Sequence, residues 1–394
     1  MEEKFYSPSL MAAHIPQIAM LVDTSRTYGQ DIVAGVRRYV AEHGPWSLYL
    51  EPRDLLSSYP AWLEEWPGDG ILARTGDAAM LQRLKATGLP VIELRDSSPD
   101  QPFPFVGMDN SEIGVRVAVH LRSRGFQRFA AYLDPSLDFF RERIQRFTET
   151  VKSEGFACPV FEAFSPSQRP RWDEHQQALA DWLTSLEKPV GVFASNDQLG
   201  FWLLDAARRA GISVPEEVAV VGAENDRLLC ETAWPPLSSV QLRGQAVGYA
   251  ASQMLDGWIR TGTRPPARTL LPAGDFIVRQ SSDIVAVEDP RLARALTYIR
   301  QHATENIGVN EVARAASLSR SALERQMKKQ IGRSPGEEIN RIRFGLVERL
   351  LTQTDLTLDA IAERAGFTHP QYMAEAFRKR QGQTPGQYRQ RRKI

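Results

Sequence analysis

The stretch "GRSPG" at residues 332–336 returns as "GQTPG" at 382–386. Sliding the C-terminal part over itself by 49 to 50 residues lays "VNEVARAASLSRSALERQMKKQIGRSPG" on "LDAIAERAGFTHPQYMAEAFRKRQGQTPG". Val312 falls on Ile361, Ala313 on Ala362 and Leu318 on Phe367; after one added residue, Leu323 falls on Met373 and Met327 on Phe377. Apolar positions duplicated at helical spacing require the same small unit to be built twice. Each copy, over about 308–332 and 357–382, reads as a short helix, a turn and a second helix. Ala313 and Ala362 are small enough to let the two helices cross closely, and Gly366 supplies the backbone angles of the turn, with Ser317 in its place in the first copy. Leu323, Met327 and Ile331 recur every four residues and must face inward. On the opposite side stand Ser321, Glu324, Arg325 and Lys328, and in the second copy Gln371, Ala374, Glu375 and Arg378. Arg and Gln read guanine and adenine edges bidentately, Glu accepts from cytosine, and Lys meets phosphate. A helix over 334–352, buried along Ile339, Ile342, Leu346 and Leu350, would hold the copies at a fixed distance. Two such readers on one strut can enter successive major-groove faces about 10 bp apart.

The preceding part is built differently. Short apolar runs alternate with amphipathic helices over residues 17–280: "QIAMLVD", "GILAR", "PVIELRD", "FVGMDN", "RFAAYLD", "PVGVFASND" and "VAVVGAEND" read as strands. Helices are expected over 111–124, 138–154, 173–186 and 198–210, with an earlier one in "YGQDIVAGVRRYVAEHG". Such alternation gives parallel sheets covered by helices on both faces, with ligands gathering at the C-terminal strand ends. The span suits two doubly wound lobes. Residues 281–289 read as a linker between this 15–280 unit and an all-α unit over 290–394, whose first helix opens at Asp289-Pro290.

The net charge of zero conceals a division: residues 291–394 carry 20 Lys and Arg against 10 Asp and Glu, and the rest carries 28 against 38. A basic end on an acidic body points to a polyanion partner for that end. A solvated basic tail would share the charge but not the duplicated helices. Nothing approaches the ~18 apolar residues that cross a bilayer. The acidic start and two cysteines, Cys158 and Cys230, fit a cytoplasmic protein without a disulfide framework. The six histidines form no metal-ligand spacing, and the motifs of nucleophile elbows, P-loops and dinucleotide folds are missing. Binding rather than catalysis is expected, with no cofactor.

The C-terminal pattern, ending in "FRKRQGQTPGQYR", resembles the DNA-binding domain of the AraC/XylS family. The stretch "GVFASNDQLGFWLLDAARRAGISVPEEVAVVGAEND" resembles the effector domain of LacI-type repressors and ribose-type, periplasmic-binding-protein-like sensors. In those families an Asn-Asp pair ending one strand and an acid ending the next face a sugar. The resemblance thus assigns ligand contacts to Asn196, Asp197 and Glu224; a carboxylate can accept from two neighbouring hydroxyls. Asp197 also reads as a simple helix cap. Trp172 falls where the family often sets an aromatic against a sugar face, with ordinary packing as the other reading. Arg141 and Arg143 cover the place of a ligand-binding arginine, and two residues apart on one helix they cannot both point inward. Asp96 and Asp109 are further candidates at strand ends, and Leu242 stands where the family often has Gln.

A sensor of the first kind followed by a reader of the second resembles the xylose-responsive regulators. It implies D-xylose as effector, operator DNA and RNA polymerase as partners, a homodimer, no membrane, and activation of pentose catabolic genes. Another sugar or a nucleoside as effector, or a sugar-binding protein with no regulatory role, remain alternatives.

Overall fold

The computed structural model describes residues 14–51, 60–75, 78–96, 102–163, 171–284, 286–287, 289–305 and 307–392. The chain enters a first lobe through β1 (Gln17–Leu21), α1 (Thr27–His43), β2 (Ser47–Leu50), β3 (Gly70–Ala73), α2 (Ala78–Ala86), β4 (Val91–Glu93) and β5 (Phe105–Met108). It crosses into a second lobe built of α3 (Asn110–Ser123), β6 (Phe129–Leu133), α4 (Asp138–Ser153), β7 (Val160–Glu162), α5 (Trp172–Ser185), β8 (Val190–Ala194), α6 (Asp197–Arg209), β9 (Val218–Glu224), α7 (Arg227–Thr232) and β10 (Ser238–Gln241). It returns to the first lobe for α8 (Gly244–Thr261) and β11 (Arg268–Leu271), then to the second for β12 (Phe276–Ile277). The sheet orders are β11-β5-β4-β3-β1-β2 and β12-β10-β9-β8-β6-β7, parallel throughout except that β12 runs antiparallel to β10.

Central strands such as β3, β6 and β8 are buried along their whole length, which is why they read as continuous apolar runs. The edge strand β2 is exposed at all four positions and carries no such signal. The three interlobe crossings are stitched together by backbone. Asp109 N–H donates to Leu271 O at 2.9 Å, Gln241 N–H to Asp275 O at 2.9 Å and Gly274 N–H to Gln241 O at 3.0 Å. From α3, Arg116 donates to Gly274 O at 2.7 Å, and Glu112 Oε2 accepts from Ala273 N–H at 2.8 Å. The lobes therefore share one narrow, hydrogen-bonded hinge.

The expected linker is in large part packed. Ser281 and Ser282 are fully buried, and Ser281 Oγ donates to Val220 O at 2.6 Å while accepting from Ser238 N–H at 2.8 Å. Ile284 and Val287 are buried as well. Two polar residues that look like linker are instead a polar patch closing one side of β9.

Beyond Asp289, whose carboxylate caps the next helix, everything is helical: α9 (Pro290–His302), α10 (Val309–Ala315), α11 (Arg320–Ile331), α12 (Pro335–Gln353), α13 (Leu358–Arg364), α14 (Pro370–Gln381) and α15 (Pro385–Arg392). The repeated pentapeptide is a stop followed by a start. Gly332 and Gly382 end α11 and α14 at φ +74° and +70°, the left-handed cap that glycine takes without strain. Ser334 and Thr384 then open the next helix: their side chains accept from Glu337 N–H and Gln387 N–H, both at 3.3 Å, and Pro follows at the first helical position. The strut α12 buries two faces rather than one. Ile339 and Ile342 join the core of the first copy, whereas Phe344, Val347 and Leu351 join that of the second, and Leu346 and Leu350 are only partly buried.

Both inter-helix turns need a positive φ: Ser317 at +53° and Gly366 at +75°. A Cβ on Gly366 would stand 2.4 Å from the carbonyl oxygen of Thr304. Ser317→Gly is therefore expected to stabilise the protein by up to about 1 kcal/mol, the left-handed penalty of a residue with a Cβ. Gly366→Ala should cost about 2 kcal/mol or more, since strain and overlap add. Urea unfolding of the two variants reads both signs.

Candidate functional sites

A cleft lies between the lobes at the C-terminal strand ends. Its walls include Tyr28, Phe105 and Phe139, which offer aromatic surface, and Arg74, Arg95, Asp96, Asn110, Arg143 and Glu224, which offer charge and hydrogen bonds. Arg143 is 2% exposed and organises the second-lobe wall. Its Nε donates to Asn110 Oδ1 at 2.9 Å; its Nη1 donates to Ser195 O at 2.9 Å and to Glu224 Oε1 at 3.3 Å. Glu224 and Asn225 hold positive φ values of 113° and 52°, an uncommon backbone that persists only where its surroundings over-determine it. Here they do. Asn225 N–H donates to Ser239 Oγ at 2.9 Å, and Arg279 donates to Asn225 Oδ1 at 2.8 Å. Across the cleft mouth, Thr27 Oγ1 donates to Asp226 Oδ2 at 3.0 Å and Arg26 lies 3.8 Å from Glu224.

The structure brings together Arg143, Glu224 and Asp96, and it places the other candidates elsewhere. Arg143, not Arg141, turns inward; Arg141 is exposed and donates to Pro135 O at 2.5 Å. Asp96 is held by a two-pronged ion pair with Arg268. Asp109 caps α3 by accepting from Glu112 N–H at 2.9 Å, and Asn196 caps α6 by accepting from Leu199 N–H at 2.9 Å. Asp197 is fully buried beneath the strained turn, where its carboxyl accepts from Asp226 N–H at 2.7 Å and from Ser239 Oγ at 2.6 Å. Burial pushes its pKa up to about 8. It shapes the wall from behind without lining it. Trp172 lies outside the cleft, 54% exposed, with the Arg209 guanidinium stacked 4.5 Å from its ring centroid.

Tyr28, Arg74, Arg95, Asn110, Phe105 and Phe139 line the cleft without having been singled out from sequence. Arg74 and Arg95 directly follow or nearly follow β3 and β4, so the strand-end rule that selects Asp96 applies to them equally. Below them, Glu93 is fully buried: its Oε1 accepts from the backbone N–H of Thr75, Leu94 and Arg95 at 3.0, 3.1 and 2.9 Å, and its Oε2 has no partner.

The second site is the exposed side of α11 and α14. Ser321, Arg325, Lys328, Gln371, Glu375 and Arg378 are exposed, while Glu324 and Ala374 are half-buried. Leu323, Met327, Met373 and Phe377 are fully buried on the other side. Glu324 accepts from Arg320 at 3.0 Å and Lys328 lies 3.7 Å from Glu337. Arg325 and Arg378 have no side-chain partner among the described residues, which leaves their guanidinium groups available to a ligand. The reader is bound to the second lobe by ion pairs Arg341–Asp283 and Arg300–Glu216, the latter at 2.5 Å, and by Gln353 donating to Glu231 at 3.2 Å.

Glu93 makes the fold sensitive to pH. Burial pushes its pKa up from 4.5 to about 7 despite the three amides, so between these values the folded chain keeps a proton that the unfolded chain releases. Stability should fall as pH rises through that window, by up to ~1.4 kcal/mol per pH unit. Glu93→Gln retains an acceptor for the amides and should flatten the slope, as measured by denaturant unfolding at pH 5, 6 and 7.

Comparison with known proteins follows the same division. Residues 17–111 match the XylR N-terminal domain, 118–282 the periplasmic binding protein-like domain and 312–391 a helix-turn-helix domain. The xylose operon regulatory protein of Escherichia coli K12 is 29% identical over 95% of this chain and 96% of its own length. That of Haemophilus influenzae is 28% identical over 95% and 98%. The solved structure of a xylose-binding transcription activator XylR superposes with a TM-score of 0.81 at 28% identity, covering 98% of this chain and 100% of that one. A LacI-family regulator from Enterococcus faecium with bound ribose shares the sensor fold, with a TM-score of 0.57 at 23% identity over 69% of this chain and all of that one. The chain is thus XylR-like: a LacI and ribose-binding-type effector domain followed by an AraC/XylS-type DNA-binding domain.

Proposed function

We propose that the protein is a sugar-responsive transcription regulator that binds operator DNA through α11 and α14 and a sugar in the interlobe cleft. One observation carries this: the cleft and the duplicated reader occupy one chain, and the second lobe grips the reader through Arg341–Asp283 and Arg300–Glu216. Kinship to proteins named for xylose supports D-xylose, or a compound sharing its ring hydroxyls, as the effector, and the activation of pentose catabolic genes as the outcome. Ser321, Glu324, Arg325, Lys328, Gln371, Ala374, Glu375 and Arg378 form the base-reading surface, and Arg143 with Glu224 the principal sugar contacts. Because the reader is attached to the second lobe, closure on a ligand moves the first lobe against the rest. A homodimer converts that movement into the spacing of two half-sites, since a ligand shifts an equilibrium only by its differential affinity for the two arrangements. RNA polymerase is the partner of the DNA-bound form, the cytoplasm its place, and the protein has no enzymatic turnover of its sugar. No helix among the described residues is long and apolar enough to cross a membrane.

Gel-shift titration against genomic fragments tests this reading. Specific retardation that weakens steeply with salt is expected, because each neutralised phosphate releases a counterion. Arg325→Ala should cost about 1–3 kcal/mol on the specific fragment alone if the side chain reads a base. Arg143→Ala takes from Glu224 its nearer cation, leaving Arg26 at 3.8 Å, and should abolish the response to sugar while DNA binding persists. Equal affinity for all DNA would overturn the proposal.

A further inference from the structure

Helix α3 touches both the sugar cleft and the anchorage of the reader. At its start Asn110 lines the cleft and accepts from Arg143. Further along, Glu112 and Arg116 hold the hinge backbone at Ala273 and Gly274. The other end of α3 meets the chain that leaves this hinge segment for the reader. The His120 ring is stacked on Phe276, with 3.9 Å between centroids, and bonds Ser282 Oγ at 2.9 Å. The Arg124 carbonyl accepts from Ala286 N–H at 2.7 Å, and the Arg124 guanidinium donates to Asp283 Oδ1 at 3.3 Å. From the reader, Arg341 of α12 donates to Asp283 Oδ2. Arg341 is also paired with Glu338 at 2.6 Å, and the buried Glu338 holds Arg333 at 2.8 Å. Arg333 directly follows Gly332, the cap that ends the reading helix α11. Contacts thus run without a break from the cleft wall to the end of a base-reading helix.

We infer that Asp283 is the coupling residue of the regulator: its carboxylate, shared between Arg124 on α3 and Arg341 on α12, carries the state of the hinge to the reading helices. The inference rests on the sugar-regulator reading and adds to it the place where the two halves are joined. Asp283, Arg124 and Arg341 are 31%, 26% and 17% exposed, so their attraction is screened less than that of surface charges. One carboxylate held by two guanidinium groups that move apart must release one of them, which makes the junction two-state rather than elastic. Arg341 also stands where it acts on both copies. Its neighbour Ile342 packs in the core of the first, and Phe344, less than a turn further, in that of the second. By contrast, the Arg300–Glu216 pair joins α9 to the residues before β9; it holds the reader in place without touching α3 or the hinge.

Fluorescence anisotropy of the full chain on a genomic fragment that the wild type retards, with and without saturating D-xylose, gives the ratio of the two dissociation constants. In the wild type this coupling ratio is expected to depart from one by about fivefold or more. Asp283→Asn should bring it to within about twofold of one, while calorimetry shows D-xylose affinity unchanged. Reciprocity requires that DNA then also cease to alter the affinity for D-xylose. Arg124→Gln should lower the ratio as well, and the double variant no further, because both act through one contact. Gln353→Ala removes an exposed hydrogen bond to Glu231 away from α3 and should leave the ratio as in wild type. A merely structural Asp283 would lower the melting temperature and both affinities yet preserve the ratio; that result overturns the inference and leaves the regulator standing. If Asp283→Asn fails to fold, Arg124→Gln, in which Arg341 keeps both of its carboxylates, decides by the same measurement. A wild-type ratio of one overturns the sugar-regulator reading and the inference together.

Discussion

The buried guanidinium of Arg143 is the point at which separate parts of the sensor meet. It comes from α4, and two of its nitrogens, Nε and Nη1, reach the start of α3, the end of β8 and the end of β9. Those are the elements whose termini form the second-lobe wall, so one side chain sets their relative height. A cation this deep is stable only because acceptors, a carboxylate among them, stand close around it. Glu224 is one of them, and it is presented by a backbone at φ +113° that Asp197 and Ser239 support from below. The binding wall is therefore rigid at its centre, and residues that never touch the cleft, Asp197 above all, hold that rigidity in place. This preorganisation is what a small polar ligand requires, because the cost of ordering the wall has been met before it arrives.

Rigidity of one wall places the mobility elsewhere. Three crossings joined by backbone hydrogen bonds connect the lobes, and across the cleft mouth, among the described residues, contacts such as Thr27 to Asp226 and Arg26 to Glu224 bridge them. The reader shares an apolar core with the sensor, running through Ile284, Val287, Leu292 and Leu296 to Met327, and that core extends into the first lobe as well, to residues such as Ile18 and Leu72. Charged contacts from α9 and α12 add to it. On the proposed function the first lobe is the part that swings, while the second lobe and the first helix-turn-helix copy move together. Hinge motion of this kind is a common way for ligand closure to be transmitted.

Some of this was legible in the residues alone. The reader was, because duplication repeats each signal and the helical spacing of Leu323, Met327 and Ile331 has no competing explanation. The central strands were, because burial on both faces leaves an unbroken apolar run. Edge strands such as β2 and the two-residue β12 were not, since they bury little. The cleft was read unevenly. Geometry on α4 required that only one of Arg141 and Arg143 face inward, but the choice depends on the phase of the helix against the sheet. Attention to sugar-binding acids selected Asp96 and passed over its neighbour Arg95. Trp172 occupied a plausible position in sequence, yet it begins α5 on the outer side of the lobe, where Arg209 covers it. Family position carries residue types forward better than it carries the direction in which they point.

The two reading helices, equal in fold, are unequal in chemistry. Ser321, Glu324, Arg325 and Lys328 correspond in the second copy to Gln371, Ala374, Glu375 and Arg378, so a cation faces a carboxylate at the third position and a carboxylate faces a methyl at the second. Arg donates to guanine and Glu accepts from cytosine; two helices that differ in this way cannot prefer the same base at equivalent places. On the proposed function, with both held on α12 at one separation, they would read a composite half-site of two unlike segments about one helical turn apart. Such a half-site has a direction along the duplex. Identical copies would allow the domain to bind in shifted registers with one helix exchanged for the other, whereas unlike copies penalise every register but one. On that reading, divergence within the repeat would let a single chain fix its orientation on DNA, and orientation is what a hinged sensor must act on if the movement of one lobe is to change what the bound protein presents.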